Sequence, residues 1–159
     1  MMDVGRPHKK RNSEEQEMKV AVFGLGYVGS VTAVCLAADG HEGWGVDKDE
    51  TKVNRLGKGV APIREPGLDE GLRSALKAQK LRVTRDSAAA IEATDLALIC
   101  VGTPTSSERG TDTSFVLSVI EEIGAALKKS TQPYAILLRS TVPPGTTRDL
   151  VRPRLEEIS

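Results

Sequence analysis

Short apolar runs alternate with segments of helical spacing from residue 19 onward. Residues 19–23 form an apolar, β-branched run that glycine stops, as expected of a strand buried on both faces of a sheet. Residues 28–38 are small and apolar and are followed by Gly40, which predicts a closely packed helix with a glycine stop. The chain therefore begins its regular structure with a strand, a tight turn and a helix.

The same alternation continues to the end of the sequence. Asp49 is predicted to cap a helix and Ser114 to cap another, and Pro153 is expected to bend or break the last helix. The further predicted strands are residues 44–47, 81–84, 96–101 and 135–138, the last two as buried strands. The further predicted helices are residues 49–56, 68–76, 87–93, 115–127 and 147–158.

This order of elements predicts an α/β fold, a Rossmann-type doubly wound parallel sheet with helices on both faces in three layers. Residues 19–159 are predicted to be one domain, and a further strand is expected after its last helix, so we expect the domain to be truncated before that strand. Residues 1–18 are polar and have no hydrophobic period, which predicts a disordered leader.

Composition narrows the class of protein. Lys and Arg together number 22, as do Asp and Glu, and aromatic residues make up 3%, so neither nucleic acid nor a membrane surface is an expected partner. Apolar runs are too short to span a membrane, and a cytoplasmic location is expected. Cys35 and Cys100 lie in apolar segments without metal-binding spacing, which predicts buried free thiols and no metal site.

The turn after the first strand carries the candidate chemistry. Gly24, Gly26 and Gly29 form a GxGxxG pattern between a strand and a helix, where they permit a tight turn, close approach of a pyrophosphate and close helix packing. The pyrophosphate is expected at the start of the helix, where free N–H groups and the helix dipole favour an anion. This context predicts a dinucleotide site.

Asp47 ends the next strand, at the offset needed to bind the ribose hydroxyls of the adenosine. A carboxylate there repels a 2′-phosphate, so NAD is predicted over NADP. Lys48 weakens this prediction, because a cation tolerates the phosphate, and Lys52 lies within reach of the ribose or a phosphate. Thr103 and Thr141 follow two later strands at the edge where ligands bind, although threonines there also form turns.

The sequence resembles the UDP-glucose/GDP-mannose 6-dehydrogenases, in order from about residue 19 to its end, over the N-terminal NAD-binding domain of that family. The stretches around Pro66 and Thr141 are more specific than the glycine turn. The segments that carry the resemblance are Val22-Phe23-Gly24-Leu25-Gly26-Tyr27-Val28-Gly29, Gly45-Val46-Asp47, Thr51-Lys52-Val53, Pro62-Ile63, Glu65-Pro66-Gly67-Leu68, Cys100-Val101-Gly102-Thr103-Pro104 and Ser140-Thr141-Val142-Pro143-Pro144-Gly145-Thr146.

The resemblance implies oxidation of the C6 alcohol of a nucleotide sugar to a carboxylate with two NAD, through a cysteine that captures the aldehyde and then carries a thioester. It implies a homo-oligomer for a full-length enzyme, and it makes Thr141 a candidate catalytic residue that helps position the hydrolytic water. The residues that it implies as NAD contacts, beyond the glycines, are Tyr27, Val28, Asp47, Lys52, Thr103 and Thr141.

The family's nucleophilic cysteine, its lysine and its asparagine lie in sequence that this chain does not contain. Cys35 falls in the first predicted helix and Cys100 in a central strand, so both are interpreted as core thiols, and His41 as a turn residue. We therefore expect the chain to hold NAD without oxidising a sugar by itself.

Two alternatives stay open at this stage. A stand-alone NAD-sensing module would also lack the catalytic residues, and another β-hydroxyacid dehydrogenase would share the glycine turn. The stretch from Ser140 to Pro143 disfavours the latter. Within the resembled family, residues 99–104 and 139–141 are more similar to the GDP-mannose enzymes than to the UDP-glucose enzymes.

Overall fold

The structure is a computed structural model that describes residues 17–105, 110–128 and 130–158. Strands and helices alternate along these ranges as the hydrophobic pattern predicts. The elements are β1 (Lys19–Phe23), α1 (Tyr27–Ala38), β2 (Glu42–Val46), α2 (Glu50–Gly57), α3 (Leu68–Lys77), β3 (Leu81–Thr84), α4 (Ser87–Glu92), β4 (Leu96–Ile99), α5 (Ser114–Leu127), β5 (Ala135–Leu138), a π-helical segment (Thr147–Val151) and α6 (Arg152–Ile158).

The five strands form one parallel sheet in the order β3-β2-β1-β4-β5. The chain winds outward from β1 to β3 and then returns past β1 to begin β4, so β1 and β4 are neighbours at the topological switch point. This arrangement confirms the predicted doubly wound α/β fold. Ligands of such sheets bind at the carboxyl ends of the strands beside the switch point.

Two hydrophobic cores cover the two faces of the sheet. Val20 and Val22 of β1 belong to a core completed by α1, α2 and α3, whereas Ala21 and Phe23 belong to a second core completed by α4 and α5. Alternate side chains of a strand point to opposite faces, so β1, which is apolar from Val20 to Phe23, serves both cores. The three predicted layers follow from this pattern.

The edge strand β5 differs from the prediction. Its bounds are those expected, but it was predicted to be buried, and Ala135 is exposed and Leu137 is 48% exposed. The cause is its place in the sheet, because β5 pairs with β4 alone among the described strands. The central strand β4 ends at Ile99, two residues earlier than predicted, so Cys100 and Val101 lie beyond the strand.

Two helix starts show how local hydrogen bonding sets the bounds. The Asp49 side chain accepts a hydrogen bond from the Lys52 N–H at 3.1 Å, which confirms the predicted cap of α2. Ser114 does not cap α5 as predicted, since it is the first residue of that helix and follows Thr113 as N-cap. Asp112 accepts the Ser114 N–H at 2.8 Å instead.

Pro153, which was predicted to bend or break the last helix, lies just after a change of helix type between Val151 and Arg152. A proline has no N–H to donate and its ring crowds the preceding turn. The structure accommodates it with the wider π-helical turn over Thr147–Val151, after which Pro153 falls in the first turn of α6.

Residues 1–16 of the predicted leader lie outside the described residues. The last two leader residues contact the domain, since the Glu17 carboxylate pairs with Lys80 at 2.5 Å and the Met18 N–H donates to His41 Nδ1 at 3.3 Å. None of the helices in the described ranges is long and apolar enough to cross a membrane.

Candidate functional site

The turn between β1 and α1 requires glycine at two positions for reasons internal to the protein. Gly24 has a φ of +88°, and a Cβ atom there would lie 2.8 Å from the backbone nitrogen of Val101. A Cβ atom on Gly29 would lie 1.8 Å from the Gly24 carbonyl oxygen. The turn therefore packs against itself and against the end of β4. This agrees with the tight turn and the close helix packing that the glycine pattern predicts.

Gly26 is different, because a Cβ atom there would meet no described atom within 4 Å. Gly26 is exposed and is the N-cap of α1, and no side chain of the described residues caps that helix. The N–H groups of a first helical turn need acceptors, and a bound anion supplies them. The arrangement leaves room at Gly26 for a phosphate to approach the backbone.

Asp47 lies beside this turn and is held from three directions. Its Oδ2 atom accepts the Leu25 N–H and the Lys52 ammonium, both at 2.7 Å, and its Oδ1 atom accepts the Asp49 N–H at 3.0 Å. Burial by itself raises the pKa of Asp47, but the hydrogen bonds from Lys52, Asp49 and Leu25 outweigh it and lower the pKa below its usual value. Asp47 is therefore a fixed carboxylate at neutral pH.

A cleft of about 340 Å³ opens at the switch point between the carboxyl ends of β1, β2 and β4. It contains Gly24, Gly26, Asp47 and Lys52 together, as the sequence predicted for a dinucleotide site. Its other lining residues are Phe23, Val46, Lys48, Asp49, Cys100, Val101, Gly102, Phe115, Ser118, Val119 and Glu122.

One wall of the cleft comes from α5 and was missed by sequence reasoning. Phe115, Ser118, Val119 and Glu122 line this wall, and their i, i+3, i+4, i+7 spacing places them on one face of the helix. Val116 and Ile120 of α5 face the second core. A second face at the same period was present in the sequence, but its mixed polarity gave no reason to assign it to a site.

Thr103 and Thr141, the two threonines predicted to contact NAD, lie close together beyond the carboxyl ends of β4 and β5. The Thr103 hydroxyl donates to the Thr141 carbonyl oxygen at 2.7 Å, which joins the segments that follow β4 and β5. Thr141 is exposed. Within the described residues, the lining of the 340 Å³ cleft does not include Thr103, Thr141, Tyr27 or Val28.

Tyr27 is 55% exposed at the start of α1, and Val28 is half-buried. A hydrogen bond to the Glu65 carboxylate raises the pKa of the Tyr27 phenol. Tyr27 thus connects the glycine turn to the Glu65-to-Leu68 segment that the sequence singled out.

Neither cysteine has the environment of an activated nucleophile. Cys35 is exposed on α1, so its predicted burial is wrong; it lies on the side of the helix away from the buried Ala33 and Ala37. Cys100 lines the cleft, and burial raises the pKa of its thiol despite an opposing effect of Arg139. Thiols of raised pKa are poor nucleophiles at neutral pH.

Within the described residues, no three His, Cys, Asp or Glu side chains are grouped as a metal site. The His41 imidazole accepts the Met18 N–H in the turn before β2, where its predicted role is structural.

Comparison with known proteins decides the family. Residues 18–159 match the model of the UDP-glucose/GDP-mannose dehydrogenase family, NAD binding domain. The chain belongs to this family. The match confirms the resemblance found in the sequence and the prediction of NAD as the coenzyme of this NAD-binding domain.

Relatives with both sugar specificities resemble this NAD-binding domain. The GDP-mannose 6-dehydrogenase of Pseudomonas syringae pv. syringae is 47% identical over 142 residues, which are 89% of this chain and 32% of the relative. The UDP-glucose 6-dehydrogenase of Rhizobium meliloti is 43% identical over 138 residues, which are 85% of this chain and 30% of the relative. The chain thus spans about a third of the length of these relatives.

Solved structures of related enzymes have the same fold as this chain. A ternary complex of GDP-mannose dehydrogenase from Pseudomonas aeruginosa superimposes with a TM-score of 0.88 at 40% identity, over 89% of this chain and 33% of the other. A UDP-glucose dehydrogenase from Pyrobaculum islandicum also gives 0.88 at 35% identity, over 93% of this chain and 34% of the other. The fold of the NAD-binding domain is therefore similar in enzymes named for different sugars.

Proposed function

We propose that NAD binds in the 340 Å³ cleft with its pyrophosphate at the start of α1 and its adenosine ribose on Asp47. The observation that carries this proposal is the fixed Asp47 carboxylate beside the open backbone at Gly26. A carboxylate accepts hydrogen bonds from the ribose hydroxyls and repels a 2′-phosphate. Lys52 reaches the same carboxylate and lies where it can also contact the ribose.

We further propose that the nicotinamide end extends past Tyr27 and Val28 toward Thr103 and Thr141. The hydrogen bond between the two threonine segments places both beside the carboxyl ends of β4 and β5. In this proposal Thr141 is the catalytic contribution of the chain, since a hydroxyl at that end can orient a water toward the reacting carbon.

The activity that we propose for the whole enzyme is oxidation of a nucleotide sugar at C6. The alcohol and one water become a carboxylate while two NAD are reduced, which balances the four electrons. GDP-mannose is the first substrate to test, because residues 99–104 and 139–141 resemble the GDP-mannose enzymes and several such enzymes are 40–47% identical to the chain. UDP-glucose is the second.

Coenzyme titration tests the role of Asp47. NADH is expected to bind the chain more tightly than NADPH, and Asp47→Ala is expected to erode the difference by about tenfold, as for the loss of one hydrogen bond to a charged group. Calorimetry gives both affinities, and thermal unfolding shows whether the variant is folded. Equal affinities of the parent chain for the two coenzymes would contradict the proposal.

The control is Asp86→Ala. Asp86 also accepts a backbone N–H through its side chain, as the cap of α4, but is not among the residues that line the cleft. It is expected to lower stability by about 1 kcal/mol without changing the coenzyme preference.

A turnover assay tests whether the 159-residue chain can oxidise a sugar by itself. We expect no NADH from the 159-residue chain with GDP-mannose or UDP-glucose, because Cys35 is not among the residues that line the cleft and the Cys100 thiol has a raised pKa. If NADH forms and Cys100→Ser abolishes it, Cys100 is a nucleophile and the expectation of an inactive chain is wrong.

A further inference from the structure

Two lysine ammonium groups lie near the proposed ribose site, and each is bound to a different carboxylate. Lys52 binds Asp47 itself at 2.7 Å. Lys48 follows Asp47 in the chain, yet its Nζ atom lies against α5, 2.6 Å from the Glu122 carboxylate and 2.7 Å from the Ser118 hydroxyl. The Lys48 ammonium thus bridges from the segment after β2 to the opposite wall of the cleft.

Glu122 is itself held in place. Its Oε1 atom binds Lys48, while its Oε2 atom accepts a hydrogen bond from the Ser87 hydroxyl at the start of α4. The Glu122 side chain is 28% exposed, whereas that of Lys48 is 68% exposed. The carboxylate is therefore the fixed partner, and the lysine is the group that it positions.

The chemistry of the coenzyme gives this pairing a consequence. NADP differs from NAD by a phosphate on the 2′-oxygen, and a nearby cation accommodates that phosphate. Lys48 is one residue from Asp47 and is long enough to turn toward the ribose, but in the structure its charge is neutralised on α5. We propose that Glu122 is a specificity-determining positioning residue that holds Lys48 away from the 2′ position and so maintains the preference for NAD.

This proposal rests on the proposed binding of the ribose to Asp47 and adds a second element to it. Asp47 acts on a 2′-phosphate by repulsion, while Glu122 acts by removing the cation that would compensate for that repulsion. The two effects are separable because the two carboxylates lie on different walls of the cleft and bind different lysines.

The test is Glu122→Gln in the full chain, with NADPH and NADH affinities measured by calorimetry. Glutamine keeps the size of the side chain and its hydrogen bond to Ser87 but removes the charge that holds Lys48. NADPH affinity is expected to rise about fivefold relative to NADH affinity, the scale of one partly exposed ion pair. The gain should shrink as salt is raised, because the new contact is electrostatic.

Glu121→Gln is the matched control. It makes the same change of charge one residue earlier on α5, where Glu121 pairs with Arg154 and does not line the cleft. No change in either affinity is expected, so a general effect of net charge would appear in both variants and overturn the proposal.

Lys48→Met separates positioning from a merely structural role. Lys48→Met alone is expected to leave NADPH affinity within about twofold, whereas in the Glu122→Gln background it should remove the gain. A gain that persists in the double variant would overturn the proposal, as would unchanged NADPH affinity in both Glu122→Gln and Glu122→Ala. If the parent chain prefers NADH and Asp47→Ala erodes that preference, such a result overturns the role of Glu122 alone.

Discussion

The carboxyl edge of the sheet differs between its two ends: a nearly buried, charged side chain follows β2, which we call the firm end, and an exposed threonine follows β5, which we call the loose end. At β2, the Asp47 side chain is 10% exposed and accepts hydrogen bonds from Leu25, Asp49 and Lys52. At β5, Thr141 is exposed; its carbonyl oxygen accepts a hydrogen bond from the Thr103 hydroxyl, and the preceding Ser140 hydroxyl donates to the Val101 carbonyl oxygen at 2.7 Å. The same sheet thus presents a fixed charge at one end and an exposed threonine at the other.

The difference follows from the order of the strands. β2 lies between β1 and β3, is contacted by α1, and has Val46 buried in the second core, whereas β5 pairs with β4 alone among the described strands. Groups that recognise the adenosine must be rigid to discriminate between coenzymes, and groups near a reacting sugar must meet a substrate and the rest of an enzyme. In the proposed binding mode, the adenosine therefore lies at the end with the fixed carboxylate, and the nicotinamide lies at the end with the exposed threonine.

The largest predicted loss of stability is in the glycine turn beside Asp47, at the firm end of the sheet. Gly29→Ala is expected to destabilise the chain by about 3 kcal/mol or more, because its Cβ atom would lie 1.8 Å from the Gly24 carbonyl oxygen. Alanine favours a helix by about 1 kcal/mol over glycine, which is too little to offset that overlap. Chemical denaturation measures the loss, and a stability equal to the parent's would contradict the observed packing of the turn.

Gly26→Ala is the matched variant for the same turn. Its Cβ atom would enter open space, and alanine is a poorer N-cap than glycine, so stability is expected to fall by only about 0.5–1 kcal/mol. NADH affinity is expected to fall about tenfold, since the new methyl group occupies the space assigned to the pyrophosphate and weakens its hydrogen bonds. Normal NADH binding would remove the pyrophosphate from this position.

The next two variants compare the loss of stability at the centre of the sheet with the loss at its edge. Ile99→Ala in β4 is expected to cost about 2–5 kcal/mol, because Ile99 is fully buried in the second core and the substitution leaves a cavity. Leu137→Ala in β5 is expected to cost less than about 1 kcal/mol, since Leu137 is 48% exposed. Similar losses on urea denaturation would mean that β5 is covered in solution.

The sequence predicted the firm end better than the loose one. Strand β1 is apolar on both faces, and the positive φ of Gly24 and the crowding at Gly29 arise within the turn, so the local sequence predicts the turn. The burial of β5 depends on which strands flank it, and its apolar residues look the same in a central strand. The predicted burial of residues 135–138 was wrong for this reason.

Contacts between distant segments were beyond the sequence pattern. The Lys48–Glu122 pair joins residues 74 positions apart by their numbers, and the wall that α5 contributes depends on how that helix packs across β4. Cys35 shows the same limit, because a residue in an apolar helix was predicted to be buried although its face of α1 is exposed. Periodicity identifies elements, whereas packing decides which face meets the site.

The smallest predicted effect tests the loose end directly. Thr103→Val removes the hydroxyl that binds the Thr141 carbonyl, and we expect it to lower the free energy of unfolding by about 1 kcal/mol or less, the usual net value of one hydrogen bond. NADH affinity should fall by a few-fold if this contact positions the nicotinamide end, whereas Thr103→Ser keeps the hydroxyl and should restore both properties. If Thr103→Ser is impaired and Thr103→Val is not, the methyl group of Thr103 matters rather than its hydrogen bond. Unchanged NADH binding in both variants would confine coenzyme recognition to the end held by Asp47.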